Sequence, residues 1–364
     1  MTHPTLFNTL ICTSQLRALQ ASGADVQIWD CSFDLMAPTA GQEAYAQGHI
    51  TGAHYVHLDH DLSDKTHATD KASDNPRTPG SGGPRTPASG GPRTPASGGS
   101  HPTGPASGGR HPTDPASGGR HPLPNRDTFA TWLGHMGVTP ATQVVVYDRN
   151  GCNYCGRAWW MLQWCGHANV AVLDGGWQAW QAAGGAVSAG STATSISNAD
   201  NSISSSSVNS STPKALKTPT PSHKLTAKYP LKTANTAQAA IDFVAMAVQK
   251  GSYTIIDARA APRFRGEVEP LDPVAGHIPG ALNRPFSLNM GADGLFKPAA
   301  TLRAEFDALL AGRDPSKVIH HCGSGVSAVP NVLAMAIAGY PHTQLFAGSW
   351  SEWSNRPDLP VAKG

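Results

Sequence analysis

Val318-Ile319-His320-His321-Cys322-Gly323-Ser324-Gly325-Val326-Ser327-Ala328 decides the fold of this chain: a short β-branched strand runs into one cysteine and a glycine-containing loop, and helical sequence follows. A strand, a tight turn and a helix in that order belong to a parallel α/β unit. The N–H groups of such a turn converge on its centre, and the positive end of the following helix adds to their field. Negative charge is favoured there, so Cys322 is expected to ionise easily and act as a nucleophile. Pro330 falls in the first helical turn, where its missing N–H costs little.

Working outward, the same pattern occurs twice. The first half carries Val26-Gln27-Ile28-Trp29-Asp30, His49-Ile50-Thr51-Gly52-Ala53, Val144-Val145-Val146-Tyr147-Asp148 and Gly175-Gly176-Trp177-Gln178-Ala179-Trp180. The second answers with Tyr253-Thr254-Ile255-Ile256-Asp257, His277-Ile278-Pro279-Gly280-Ala281, Lys317 to Cys322 and Gly348-Ser349-Trp350-Ser351-Glu352-Trp353. Gly166 and Gly175 are nine residues apart, as are Gly339 and Gly348. The chain therefore reads as α/β with two tandem domains, each a mostly parallel sheet flanked by helices on both faces. Leu302, Phe306, Leu309 and Leu310 supply the apolar stripe of one helix.

Residues 76–119 repeat PRTPGSGG, PRTPASGG, PRTPASGG, SHPTGPASGG and RHPTDPASGG. Without large apolar side chains such a segment cannot offset its ordering entropy, so a disordered insertion is expected over about 66–119. A second low-complexity stretch, 187–229, reads as the linker between an N-terminal domain (1–186) and a C-terminal catalytic domain (230–364).

Composition narrows the function. The 364 residues hold 27 basic and 25 acidic side chains for a net charge of +2, which points to neither nucleic acid nor a membrane surface. With 6 cysteines and no secretory leader pattern, the thiols read as reduced and the chain as cytoplasmic. Cys152-Asn153-Tyr154-Cys155 has redox spacing, yet a single pair is poor evidence for zinc; structural cysteines or a regulatory disulfide are the readings. Many of the 16 histidines are scattered, and His101, His111 and His121 share a His-Pro context.

In their order and duplication these motifs resemble the rhodanese family of sulfurtransferases in its tandem-domain form. The resemblance rests on Asp257-Ala258-Arg259, Arg263-Phe264-Arg265-Gly266, Gly276 to Ala281, Cys322 to Val326 and Gly348 to Trp353. In the first half it rests on His49 to Ala53, Arg157-Ala158-Trp159-Trp160 and Leu173 to Trp177. It implies a cofactor-free, two-step exchange in which Cys322 takes sulfur from a small donor as a persulfide and yields it to cyanide, a small thiol or thioredoxin. Asp148 aligns with Cys322, and a carboxylate cannot carry sulfane sulfur, so the first half is expected to be silent. Phosphatases of the same fold end their loop in an arginine; Ala328 stands six residues after Cys322, which argues against phosphate esters.

The resemblance also separates donors. Members using thiosulfate tend to place two cations after the cysteine, whereas Gly323 and Ser324 are neutral here and point to 3-mercaptopyruvate, with thiosulfate the alternative. A non-catalytic binding module would lack the cysteine. Arg263 matches the arginine that grips the donor's carboxylate, with Arg265 in support and Gly323, Gly325, Val326 and Ser327 lining the loop. A second arginine nine residues on is replaced by Asp272, for which Arg157 could substitute. A proton relay carried over by motif is Ser324, His121 and Asp59. His121 can equally be the last unit of the repeat, and Asp61 or Asp64 could stand for Asp59. His49 and His277 read as positioning groups.

Overall fold

The computed structural model describes residues 6–65, 118–190, 228–341 and 343–364. The expected insertion from 66 to 117 and the linker from 191 to 227 lie outside them.

Two five-stranded sheets form the framework, and all their pairings are parallel. The first contains β1 (Leu10–Ile11), β2 (Val26–Asp30), β4 (Ala53–Tyr55), β5 (Gln143–Tyr147) and β6 (Val170–Leu173), in the order β1-β6-β5-β2-β4; β3 (His49–Ile50) pairs with β7 (Val187–Ser188) outside it. The second contains β8 (Ala237–Gln238), β9 (Thr254–Asp257), β10 (Leu282–Asn283), β11 (Val318–His321) and β12 (Gln344–Leu345), in the order β8-β12-β11-β9-β10. Strand for strand this is one topology used twice. Both expected strands, β5 and β11, lie at the centre of their sheets, are fully buried and run directly into Asp148 and Cys322. In open parallel sheets that end is where ligands bind.

Around the first sheet pack α1 (Thr13–Ala21), α2 (Ala40–Gln47), α3 (Arg126–His135), α4 (Cys155–Trp164) and α5 (Gly176–Ala182). Around the second pack α6 (Ile241–Lys250), α7 (Ala261–Phe264), α8 (Ala299–Leu310), α9 (Val329–Ile337) and α10 (Ser349–Trp353). Successive strand residues point to opposite faces, and the cores divide accordingly. Ile28, Val145, Tyr147 and Leu173 join Leu16, Tyr45, Trp177 and Trp180 on the outer face. Ile255, Ile319 and Phe346 do the same with Val244, Trp350 and Trp353. The inner faces of both sheets share one continuous core, which includes Val144, Val146, Trp160, Ile256, Val318, Phe306 and Val332.

That shared core joins the domains through α4 and α9, the helices that leave the two loops. Every residue of α4 is buried, as expected of a helix covered all round. A β-carbon at Gly156 would stand 3.3 Å from Val329, so glycine sets how closely the helices approach.

The domain edges differ from the sequence reading. Val187 and Ser188, placed in the linker, form a strand of the first domain because their backbone pairs with His49 and Ile50. Tyr229 also belongs there: its amide donates to Ala130 O at 2.8 Å and its hydroxyl lies 3.0 Å from His167 Nδ1. Gly118 and Gly119, expected within the disordered insertion, pack on the second domain around Gly348, Ser351 and Glu352. Among the described residues, no helix is long and apolar enough to cross a membrane.

Candidate active site

Cys322 follows β11 directly and is 2% exposed. Its amide donates to Ser349 Oγ at 3.1 Å, and that hydroxyl donates to Phe346 O at 2.9 Å. Gly325 turns the loop in a left-handed conformation (φ 74°), and a β-carbon there would collide with the Ala347 carbonyl. Only glycine meets both demands. The chain then enters α9, with the Val329 amide on Val326 O at 3.1 Å and Pro330 in the first turn.

The amides of residues 323–328 donate to no acceptor among the described residues. They include those of Gly323, Gly325, Val326 and Ser327, while the Val326 side chain itself belongs to the shared core. The first domain shows what such a loop holds. There the Asp148 carboxylate turns back and accepts from the amides of Asn150 (2.9 Å), Cys152 (3.0 Å), Tyr154 (2.8 Å) and Cys155 (2.9 Å). One loop is filled by its own anion. Its counterpart, built around Cys322, is left able to stabilise an anionic sulfur.

Across the domain boundary stand the three residues carried over as a relay. His121 Nδ1 lies 2.7 Å from Ser324 Oγ, and His121 Nε2 lies 3.3 Å from Asp59 Oδ1. Burial opposes the charge on Asp59, but contacts with His121 and with Lys65 Nζ at 2.6 Å more than reverse it, and its carboxyl stays well below the usual range. Burial lowers the His121 pKa against the pull of Asp59. A neutral ring beside an ionised carboxylate donates from Nε2, which leaves Nδ1 to accept the Ser324 hydroxyl proton. Ser324 Oγ can then accept a proton from a donor thiol. Of the alternative acids, Asp61 accepts from the His57 amide at 2.7 Å, and the Asp64 amide donates to Pro122 O at 2.9 Å.

Arg157 is fully buried on α4. Its guanidinium donates to Leu62 O (3.4 Å), His121 O (3.0 Å) and Gly325 O (3.1 Å), tying His121 to the cysteine loop. Burial draws its pKa down to about 10, with the charge of Cys322 acting the other way.

Arg263 sits in α7 and is gripped by acids: NH2 lies 2.6 Å from Glu269 Oε1 and 3.3 Å from Asp272 Oδ2. Arg265, expected in support, is exposed and pairs with Glu267 at 2.7 Å rather than with any of the residues around Cys322 named above. Asp272 pairs with a residue the sequence reading passed over, Arg120. The signal was hidden, because Arg120-His121-Pro122 repeats the Arg110-His111-Pro112 unit just before it.

The outlying residues behave as positioning groups. His49 Nδ1 meets Tyr45 O at 2.9 Å and His277 Nδ1 meets Phe264 O at 2.8 Å, each ring stacked on the aromatic residue it bonds. Cys152 and Cys155 are buried and free.

Comparison with known proteins fits this architecture. The rhodanese-like domain family matches residues 114–183 and 241–356. A Pseudomonas aeruginosa protein named "Probable 3-mercaptopyruvate sulfurtransferase" is 35% identical over 357 residues, which is 97% of this chain and 98% of that one. An Arabidopsis thaliana protein, "Thiosulfate/3-mercaptopyruvate sulfurtransferase 2", is 33% identical over 241 residues, covering 66% of this chain and 68% of its own. The solved 3-mercaptopyruvate sulfurtransferase from Leishmania major superposes with a TM-score of 0.66 at 25% identity, over 97% of this chain and 76% of that one.

Proposed function

This chain belongs to the rhodanese-like family and is a tandem-domain sulfurtransferase, and on that premise we propose that its second domain moves sulfur from 3-mercaptopyruvate to a thiol or cyanide through a persulfide on Cys322. The observation that carries the reading is the contrast between the two loops: amides that embrace Asp148 in the first domain stand open around Cys322 in the second.

The donor docks with its carboxylate on Arg263. The Cys322 thiolate attacks the donor's sulfur, an S–S bond forms and the C–S bond breaks, and the electron pair leaves with the three-carbon fragment as the enolate of pyruvate. Proton uptake at carbon gives pyruvate. The donor thiol's proton passes to Ser324 as Ser324 gives its own to His121, whose imidazolium Asp59 stabilises. The open amides hold the persulfide anion until an acceptor such as a small thiol, thioredoxin or cyanide removes the outer sulfur. Two half-reactions sharing one covalent intermediate give ping-pong kinetics. All six cysteines are free, which supports a reducing compartment, the cytoplasm.

Thiosulfate is the second reading, because one relative's name carries both donors. Charge favours mercaptopyruvate. Arg120, Arg259 and Arg263 are matched by Asp257, Glu269 and Asp272, which leaves little surplus charge for a dianion.

The test is mass spectrometry of the protein after each donor. A gain of one sulfur on Cys322 with stoichiometric pyruvate release is expected from 3-mercaptopyruvate, and none from a Cys322→Ser variant. A higher specificity constant for thiosulfate would reverse the donor assignment.

A further inference from the structure

Asp59 is presented by a turn that closes on itself. β4 ends at Tyr55, and Val56, Leu58 and Leu62 then root the chain in the shared core. Between these anchors the Asp61 amide donates to His57 O at 2.9 Å, and the Asp61 carboxylate accepts from the His57 amide at 2.7 Å. The Asp59 amide donates to His57 Nδ1 at 3.0 Å. A side-chain acceptor bonded to the amide two residues on is how asparagine and aspartate build turns, and here an imidazole nitrogen takes that place.

One form of the ring can do this. Nδ1 accepts and so carries no proton, which makes the ring neutral with its hydrogen on Nε2. The ring also hydrogen-bonds the backbone of Pro38, which has only a carbonyl to offer and therefore takes the Nε2 hydrogen. Phe33 and Tyr55 meet the ring edge to face, with centroids 5.3 Å and 6.0 Å away, and His60 lies against it at 4.3 Å. Held on all these sides, the ring fixes the backbone at Asp59. From there the carboxylate reaches His121 Nε2 at 3.3 Å and Lys65 Nζ at 2.6 Å. Its effect on a charge forming at His121 depends on that separation, and a carboxylate free to swing into water would lose most of it.

We propose that His57 is a positioning residue for sulfur transfer, which by accepting the Asp59 amide aims the Asp59 carboxylate at His121. This rests on the relay reading above, in which Asp59 stabilises the imidazolium formed when His121 takes the donor's proton.

The experiment compares His57→Phe, His57→Asn, Asp59→Asn and the double variant His57→Phe/Asp59→Asn in the full chain. Pyruvate release from 3-mercaptopyruvate in a single turnover, KM, and discharge of the persulfide to dithiothreitol are measured separately, and urea midpoints report folding. His57→Phe keeps a ring but removes the acceptor, and it is expected to slow single-turnover release about tenfold with KM and discharge little changed. His57→Ala serves the same comparison where phenylalanine disturbs the turn. His57→Asn places Oδ1 where Nδ1 stood and should recover most of the rate. With Asp59→Asn already in place, His57→Phe should add no further loss, because the two act as one unit. A wild-type rate in both His57→Phe and His57→Ala overturns the proposal. So does a full further loss in the double variant, or a folded His57→Asn as slow as His57→Phe. Asp59→Asn that releases pyruvate at the wild-type rate defeats the relay reading and the proposal with it, a result distinct from a slow Asp59→Asn with His57 dispensable.

Discussion

His121 Nδ1 and Ser324 Oγ, 203 residues apart in sequence, meet at 2.7 Å across the boundary between the two domains. The loop that carries Cys322 in one domain thereby meets an imidazole from the other. The first domain carries Asp148 where the second has Cys322, yet it brings His121 and Arg157 against the cysteine loop.

If His121 accepts the donor's proton through Ser324, His121→Gln should slow pyruvate release in a single turnover by about 10²-fold or more, with persulfide discharge spared. Because burial lowers its pKa, the ring stays a competent acceptor as the pH falls below the ordinary histidine range. The acid limb it contributes to donor turnover should therefore lie below that range. A His121→Gln variant with a wild-type single-turnover rate would remove the relay from the mechanism.

Arg157 is held by three carbonyls, two from the first domain and one from the cysteine loop. Lysine lacks the planar fork needed to reach all three. Arg157→Lys should cost about 2–4 kcal/mol of stability, read from urea unfolding, and should lower kcat because the loop loses its anchor. An unchanged urea midpoint would contradict this account.

Asp148 is 1% exposed and accepts four amide hydrogen bonds. Asp148→Ala leaves those donors unsatisfied, and about 2–4 kcal/mol of destabilisation is expected. Sulfur transfer in the remaining folded protein should persist. Abolished transfer with normal stability would show that the first loop takes part in the chemistry.

Two further histidines make stability depend on pH. Burial takes His167 from 6.5 down to about 4, and His320 from 6.5 down to about 3. Each is neutral in the fold while the unfolded chain binds a proton below 6.5. Stability is complete above that value and falls as the pH drops toward the folded pKa, by about 1.4 kcal/mol per pH unit for each ring. Urea midpoints measured from about pH 7.5 down to about pH 5 should show this decline, and His320→Gln should flatten it. A slope unaltered by that substitution would mean that His320 takes up its proton in the folded state.

What could be read along the chain was whatever depends on near neighbours. β-branched runs gave β2, β5, β9 and β11 to within a residue, because a buried parallel strand needs a continuous apolar stretch. Leu302, Phe306 and Leu310 marked the buried side of α8. The cysteine loop could be read too, since its glycines and the following helix are contiguous with Cys322. Edges were less legible: Val187 and Ser188 look like linker until β3 lies beside them.

The rest of the site came from tertiary structure. Arg120 and His121 carry the signature of a repeat, so a motif can nominate His121 while the local sequence equally makes it the last repeat unit. The packing of α4 on α9 settles where they go, bringing Arg157 to Gly325 and His121 to Ser324. Local pattern fixes the direction and burial of each element, whereas contacts over more than a hundred residues depend on how two separately formed cores share one interface. The sequence by itself thus determined the duplicated α/β units and the cysteine loop, and only the tertiary structure decided which side chains of the first domain would face that loop.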